Sequence, residues 1–320
     1  MNDVLTWLLD ADPAIRWQVL RDLTDTPAAE VAAERARVAQ TGWGKRLLDL
    51  QGADGQWAGG ACFPGPDWRP PQPVLGDPDG QPWTATLPTL RLLRDLGIDP
   101  GDPAVRTAIN GVREHCRWEY AGEPFFEGEV EPCINGGAVA LGAYFGENVD
   151  GIVTRLLSEQ LDDGGWNCEA ENGSTRSSFH STICVLEGLL EYERAAGTTP
   201  VRDAQQRGNE YLLTRHLFRR ASTGQVTDPA WLQYSFPVQW HYDILRGLDY
   251  FCSVGGTPDP RLSEAAQQVR AKQQPDGSWL LKNTHPGLVH FELEDGDDHP
   301  SRWNTLRALR VLRWHDAARS

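Results

Sequence analysis

The sequence predicts an all-α protein in which about six helical hairpins close into a double ring, an α/α toroid. Three observations predict it. Apolar residues recur at helical spacing along most of the 320 residues, no strand-like alternation or βαβ rhythm is present, and one short motif is repeated three times between helices. Long loops follow each copy of the motif, so we expect them at one end of the ring, here called the mouth.

The N-terminal segment predicts helices that lie outside the repeats. Residues 13–23 carry apolar positions at helical spacing and form an extra helix in this prediction. We therefore expect residues 1–40 to be helices that pack on a barrel formed by residues 41–320, within one structural domain.

A motif of Gln, a glycine turn and Trp is repeated at three places. Each copy follows a stretch with helical spacing, and its Asp-Gly pair is a typical helix end. The copies are residues 51–57 (QGADGQW), 160–166 (QLDDGGW) and 273–279 (QQPDGSW), and the preceding predicted helices are residues 45–50, 153–160 and 262–274.

A second set of apolar helices alternates with the motif and predicts the inner ring. Their equivalent positions lie roughly 45 to 65 residues apart, which is the length of a helical hairpin with a generous loop. The five predicted inner helices are residues 83–96, 133–145, 179–192, 240–251 and 303–314.

The three repeats resemble the QW motifs of squalene-hopene and oxidosqualene cyclases, and the related repeats of protein prenyltransferase β subunits. The resemblance to this terpenoid cyclase and protein prenyltransferase superfamily covers about residues 40–315. It implies a single toroid whose inner helices surround an apolar cavity for an isoprenoid ligand. The prenyltransferase comparison also leaves room for a helical partner subunit.

The resemblance to class II cyclases implies a protonating carboxylic acid in an Asp-x-Asp-Asp motif. At the matching position this chain has residues 133–136 (CING), which contain no acid. The motif occurs literally at residues 295–298 (DGDD), but about six residues upstream of the equivalent point in its hairpin. Two acidic loops, residues 127–131 (EGEVE) and 292–295 (ELED), lie at the mouth in this prediction, and solvated surface charges are the alternative interpretation of both. The candidate catalytic carboxylates are Glu131, Asp243, Asp295 and Asp298.

Cysteine and histidine residues predict a metal site at the mouth. In the prenyltransferases Asp, Cys and His hold zinc there, and Cys133, His180 and His241 fall at or near those positions. Cys168 lies in the loop between, and a tetrahedral Zn2+ would take Glu131 or Asp243 as a fourth ligand or as a hydrogen-bond partner of a ligand. Zn2+ is the preferred candidate metal and Mg2+, at the acidic loops, the alternative. In the plainer interpretation, the cysteines are buried core residues and the histidines cap helices.

Aromatic and basic residues supply the candidate ligand-binding set. Tryptophans at the starts of inner helices could stabilise a carbocation through their π faces, and an arginine could hold a diphosphate. Core packing and helix-end capping are the alternatives for these residue types. The candidate substrate-binding residues are Trp83, Trp166, Trp240, Trp303 and Arg176.

Composition excludes several partners. A formal net charge of -15 disfavours nucleic acid and anionic membranes, and cationic or uncharged ligands fit better unless a local basic pocket exists. No apolar run is long enough to span a membrane, and we expect a cytoplasmic protein with reduced cysteines. Three functions stay open: an isoprenoid-handling enzyme of the cyclase or prenyltransferase type, a non-catalytic lipid- or terpenoid-binding toroid, and a zinc-dependent enzyme for another substrate.

Overall fold

The helices of the chain are seen in a computed structural model, which describes residues 2–65, 81–196 and 201–317. These residues contain one pair of two-residue antiparallel strands, β1 (Trp279–Leu280) and β2 (Pro300–Ser301), and are otherwise helical or loop. The described helices are α1 (Asn2–Leu9), α2 (Pro13–Leu23), α3 (Ala28–Ala36), α4 (Gly42–Asp49), α5 (Thr86–Asp95), α6 (Pro103–His115), α7 (Pro132–Phe145), α8 (Asp150–Ser158), α9 (Phe179–Ala196), α10 (Arg202–Leu213), α11 (Ile244–Val254), α12 (Ser263–Ala271) and α13 (Arg302–Ala317).

Six inner helices form a closed ring. Along the ring, α5 packs on α7, α7 on α9, α9 on α11, α11 on α13 and α13 on α2. The ring closes where α2 meets the end of α5: Trp17 Nε1 donates to the Leu96 carbonyl at 2.9 Å and Gln18 Nε2 to the Asp95 carbonyl at 3.0 Å. Helix α8 packs on α7, α10 packs on α9, and α12 packs on both α11 and α13. This arrangement confirms the predicted all-α double ring.

The three repeated segments make the same contacts, which tie each outer helix to the next inner helix. Each motif tryptophan donates from Nε1 to a carbonyl ten residues earlier and from its backbone N–H to a threonine hydroxyl of the following inner helix. The indole acceptors are Leu47, Leu156 and Val269, all at 2.7 Å, and the hydroxyls belong to Thr86, Thr182 and Thr305. Each of these buried tryptophans therefore has both its indole N–H and its backbone N–H hydrogen-bonded.

The motif glutamines and glycines join neighbouring outer helices. Gln51 Nε2 donates to the Ala108 carbonyl of α6, and Gln160 Nε2 to the Ala204 carbonyl of α10, at 2.9 and 2.8 Å. In the third copy, Gly277 has a φ of +88° and lies against Val4 of α1. The N-terminal helix α1 thus takes the place of the next outer helix and helps to close the ring.

Two inner helices begin later than predicted. Helix α11 starts at Ile244 because the Asp243 carboxylate accepts the Arg246 backbone N–H at 2.7 Å, which caps the helix. Helix α5 starts at Thr86, and Trp83 before it donates its backbone N–H to the Leu288 carbonyl. Trp83 and Trp240 therefore lie in loops at the mouth.

The middle of the ring is charged, which differs from the apolar central cavity that the resemblance implied. A cavity of about 360 Å³, here called the central cavity, lies toward the C-terminal ends of the inner helices. Glu187 forms a bidentate ion pair with Arg246, both distances being 2.8 Å. The described arginines that line the cavity are Arg21, Arg35, Arg91, Arg94, Arg194, Arg246, Arg307 and Arg310, and the carboxylates are Asp95, Glu187, Glu191 and Asp249.

Membrane insertion of a helix finds no support in the described part of the chain. None of the helices within residues 2–65, 81–196 and 201–317 combines the length and apolar character that a bilayer crossing requires.

Candidate functional site

A second cavity, here called the mouth cavity, lies at the N-terminal ends of α5, α7 and α9. Its volume of about 380 Å³ is within the range of small-molecule sites. Its walls combine aromatic and aliphatic side chains with thiols, amides and charged groups. The described lining residues are Cys62, Phe63, Gln81, Trp83, Leu87, Pro88, Arg91, Glu131, Cys133, Ile134, Asn167, Cys168, Glu169, Ser178, His180, Ser181, Gln239 and Trp240.

Two cysteines and a glutamate converge on one wall of the mouth cavity. Cys133 lies in the first turn of α7, directly after Pro132, and Cys168 begins a short 3-10 helix (Cys168–Ala170) in the loop before α9. The two Sγ atoms are 2.8 Å apart, and Glu131 Oε2 lies 3.5 Å from Cys133 Sγ. One donor atom from each residue lies within 4.8 Å of the other two, so the three could hold one metal ion.

The two thiols differ in their surroundings. The hydrogen bond with Cys133 lowers the pKa of Cys168 against the effect of burial, and the Ser181 hydroxyl, 3.3 Å from the sulfur, lowers it further. The same sulfur–sulfur contact, together with burial, raises the pKa of Cys133. Cys168 therefore loses its proton first and is the better nucleophile or first metal ligand of the pair.

His180 lines the same cavity but is not placed as a metal ligand. Its Nδ1 accepts the Tyr242 backbone N–H at 2.9 Å, so the proton of the neutral ring is on Nε2 and no lone pair is free for an ion. Burial, aided by the Arg246 charge, lowers the pKa of His180 to about 4 and keeps the ring neutral at pH 7. His180 can instead donate a hydrogen bond to a ligand.

His241 lies apart from the cysteines, in a stack of rings. It stacks on His285 at 3.6 Å and on Trp240 at 3.8 Å, and its buried Nδ1 has no hydrogen-bond partner among the described residues. Burial, with His285 and other positive neighbours, lowers its pKa to about 2. The structure thus brings together Cys133 and Cys168 of the predicted zinc ligands and, with them, Glu131, but not His180 and His241.

The other predicted carboxylates lie outside the mouth cavity. Asp243 is 2% exposed and serves as the cap of α11, and burial raises its pKa. Asp298 is exposed and pairs with Lys282, which lowers the pKa of Asp298. An acid that protonates a substrate needs a raised pKa instead. Asp295 lines a separate cavity beside Trp7. The DGDD string therefore has no geometry in common with the mouth cavity.

The predicted ligand-binding tryptophans divide between two environments. Trp83 and Trp240 line the mouth cavity, and Trp240 is 38% exposed. Trp166 is wholly buried in the helix-joining contact of the second repeat, and Trp303 stacks on Phe236 at 4.2 Å beside the central cavity.

Arg176 does not line the mouth cavity, although its backbone carbonyl accepts the side-chain amide of Asn167, which does. Arg176 is exposed and lines a different, open surface cavity with Asp163 and Arg215.

Several polar residues of the mouth cavity were not predicted from the sequence, among them Arg91 and Gln239. Arg91 lies in the middle of α5, and Gln239 in the loop before α11; both are buried. A charged residue inside the apolar pattern of residues 86–93 was the available signal for Arg91. No sequence pattern indicates that the Gln239 side chain faces a cavity.

Comparisons with known proteins give structural similarity only. No protein-family model and no curated protein sequence matches the chain. Solved structures that match include the type II terpene cyclase MstE from Scytonema without ligand, at 16% identity and a TM-score of 0.42, covering 96% of this chain and 87% of that one. A variant of MstE in complex with the product merosterolic acid A matches at 13% identity and a TM-score of 0.44, covering 99% and 96%.

A further variant of MstE, in complex with its substrate geranylgeranyl dihydroxybenzoate, matches at 14% identity and a TM-score of 0.41, covering 99% of this chain and 96% of that one. With TM-scores below 0.5, the function of this chain has to be inferred from its own side chains.

Proposed function

We propose that this chain is a zinc-dependent enzyme that acts on a ligand with an apolar part, an isoprenoid in the leading hypothesis, bound in the mouth cavity. The observation that carries the proposal is the convergence of Cys133, Cys168 and Glu131 at the cavity wall. Catalytic zinc sites have three protein ligands and one open position, and thiolate and carboxylate ligands both suit zinc. Sulfur donors do not suit Mg2+, which prefers oxygen.

The neighbouring residues would prepare the site for this chemistry. The Ser181 hydroxyl accepts the Cys168 backbone N–H at 3.2 Å and so fixes the loop that carries this thiol. His180 offers its Nε2–H to a ligand group. A bound zinc ion would supply a Lewis acid that lowers the pKa of a bound water or thiol.

The apolar walls would hold the remainder of the ligand. Phe63, Leu87 and Ile134 line the mouth cavity together with Trp83 and Trp240. Because the central cavity beyond is charged, an apolar chain would stay in the mouth and not extend along the axis of the ring.

A second candidate is a binding protein without catalysis. Residues 133–136 lack the acid of class II cyclases, and Asp298, in the string that contains one, is exposed and paired with Lys282. These observations disfavour protonation chemistry and leave the cavity as a binding site.

The metal content of purified, tag-free protein tests the proposal. We expect about one zinc per chain in the wild type and its loss in Cys168→Ala. Cys252→Ala is the matched control, since Cys252 is a half-buried cysteine of α11 that is remote from the mouth, and it should keep the metal. Zinc-free wild type after purification with added zinc would reject the proposal and favour the second candidate.

A further inference from the structure

Arg91 is a buried cation that forms no ion pair or hydrogen bond with the described residues, and the carboxylate on which its charge acts, Glu187, is already paired with Arg246. Arg91 is 8% exposed, and no carboxylate of the described residues lies within ion-pair distance of it. Its guanidinium lies against Gly137 of α7, where a Cβ would come within 2.3 Å of Nη2. A buried, unpaired guanidinium is unfavourable, so a group that binds in the cavity and carries a negative charge would be strongly favoured.

Gln239 adds a second polar group to the same cavity. It is 6% exposed, and its side-chain amide forms no hydrogen bond with the described residues. Its backbone has a φ of 51°, a strained conformation for a residue other than glycine, and its carbonyl accepts from Arg246 Nη1 at 3.3 Å. The fold thus holds an amide at the cavity wall where a ligand oxygen could use it.

The central-cavity side of Arg91 is rich in arginine although the protein is acidic, while the described carboxylates of the mouth-cavity lining are Glu131 and Glu169. Arg91 lines both the mouth cavity and the central cavity, so it lies between them. Arginines outnumber carboxylates in the described lining of the central cavity by eight to four. Glu187, one of those carboxylates, already forms a bidentate ion pair with Arg246. A local positive interior therefore exists inside a chain of formal net charge -15.

We infer that the inner end of the mouth cavity is an oxyanion site, in which Arg91 and Gln239 bind the carboxylate or phosphate of an amphiphilic ligand. The apolar part of that ligand lies against Trp83, Trp240 and Ile134, which line the same cavity. The inference deepens the proposed function by assigning the charge and the orientation of its ligand. It rests on the mouth cavity, but it does not require the metal.

Isothermal titration of the full chain with three probes of equal tail length tests the site: decanol, decanoate and decyl phosphate. We expect at least one anionic probe to bind ~10-fold or more tightly than decanol, because a buried guanidinium strongly favours a charged partner. The preferred anionic probe then distinguishes a carboxylate from a phosphate ligand. Equal affinity for all three probes, or no binding of any, would overturn the inference.

Variants locate the preference at Arg91. Arg91→Met keeps the apolar stem and should reduce the preference for the anionic probe to within ~3-fold of decanol. Gly137→Ala, which places a methyl group where the guanidinium lies, should weaken anion binding without removing a charge. Arg270→Met, at an exposed ion pair of α12, is the matched control and should retain the wild-type preference. An unchanged preference in a folded Arg91→Met protein would overturn the inference.

The metal can be separated from this test by repeating the titration after treatment with a chelator. The anion preference should persist without zinc if Arg91 is its source. A preference that disappears with zinc and survives in Arg91→Met would assign the anion to the metal and reject the oxyanion site. The zinc proposal itself is tested separately, by the metal content of the purified protein.

Discussion

His180 is a histidine that the fold keeps neutral and fixes in one tautomer. The Tyr242 N–H holds Nδ1, and burial lowers the pKa of the ring to about 4. His241 and His285 lie half-buried beside it, and their pKa values are lowered to about 2 and about 4. At the residue scale the mouth is therefore built from groups that resist protonation.

This neutrality predicts that stability falls as the pH falls from about 6.5 toward 4. In that window the unfolded chain binds protons on its histidines while the folded chain does not. Each such histidine therefore lowers the free energy of unfolding by up to ~1.4 kcal/mol for each pH unit of acidification. His180→Asn, which retains an acceptor for the Tyr242 N–H, should show a shallower decline. Urea unfolding at a series of pH values measures it, and identical slopes for both proteins would contradict the assignment.

The residue types of the site were easier to predict than their roles. Cys133 and Cys168 could be placed together because Cys133 begins one inner helix and Cys168 lies in the loop before the next, at the same end of the ring. His180 is not placed as a metal ligand because its Nδ1 accepts a hydrogen bond from a backbone amide 62 residues away. No spacing in the sequence reveals this contact. Arg91 was missed because its lack of a partner is a property of the packed ring.

The repeated Gln–Trp segments act at the scale of elements, as connectors between helices. Trp166 links α8 to α9 through its indole and its backbone N–H, and the latter donates to Thr182 Oγ1 at 3.0 Å. The helical spacing of the apolar residues and the Asp-Gly helix ends were sufficient to predict these helices. The start of α11 was mispredicted because the cap at Asp243 overrides the apolar pattern that extends back to Trp240.

The role of the repeated segments as connectors predicts that Thr182→Val lowers the stability of the protein. The substitution keeps the side-chain shape but leaves the buried Trp166 N–H without an acceptor, which should lower the free energy of unfolding by ~1–3 kcal/mol. Thr154→Val on the exposed face of α8 is the matched control and should change it by less than ~0.5 kcal/mol. Equal effects of the two substitutions in denaturant unfolding would argue against the connector role.

The whole molecule is a ring that its N-terminal helices complete. Leu8 of α1 is fully buried, and Val4 lies against Gly277 of the third repeat. Leu8→Ala should therefore destabilise the chain by ~2–5 kcal/mol, as for a core leucine. Leu50→Ala, at a leucine that is 48% exposed, should cost less than ~0.5 kcal/mol. Thermal unfolding of both variants checks this, and a neutral Leu8→Ala would mean that α1 is not needed for closure.

The ring itself was predictable at this scale, because three copies of a motif and five helical segments allow few other architectures. Its charged centre was not, since the net charge of -15 gives no indication that arginines such as Arg246 and Arg307 turn inward. The apolar interior expected by analogy is replaced by ion pairs between neighbouring inner helices, for example Arg307 with Asp249.

X-ray absorption at the zinc edge of the purified protein tests most directly whether the mouth cavity is a zinc site. We predict a first shell with two sulfur atoms at ~2.3 Å and oxygen ligands completing a four-coordinate site, from Cys133, Cys168 and Glu131 with one open position. Loss of one sulfur in Cys168→Ala would identify the ligand. A sample without zinc, or a first shell of only nitrogen and oxygen, would contradict the account.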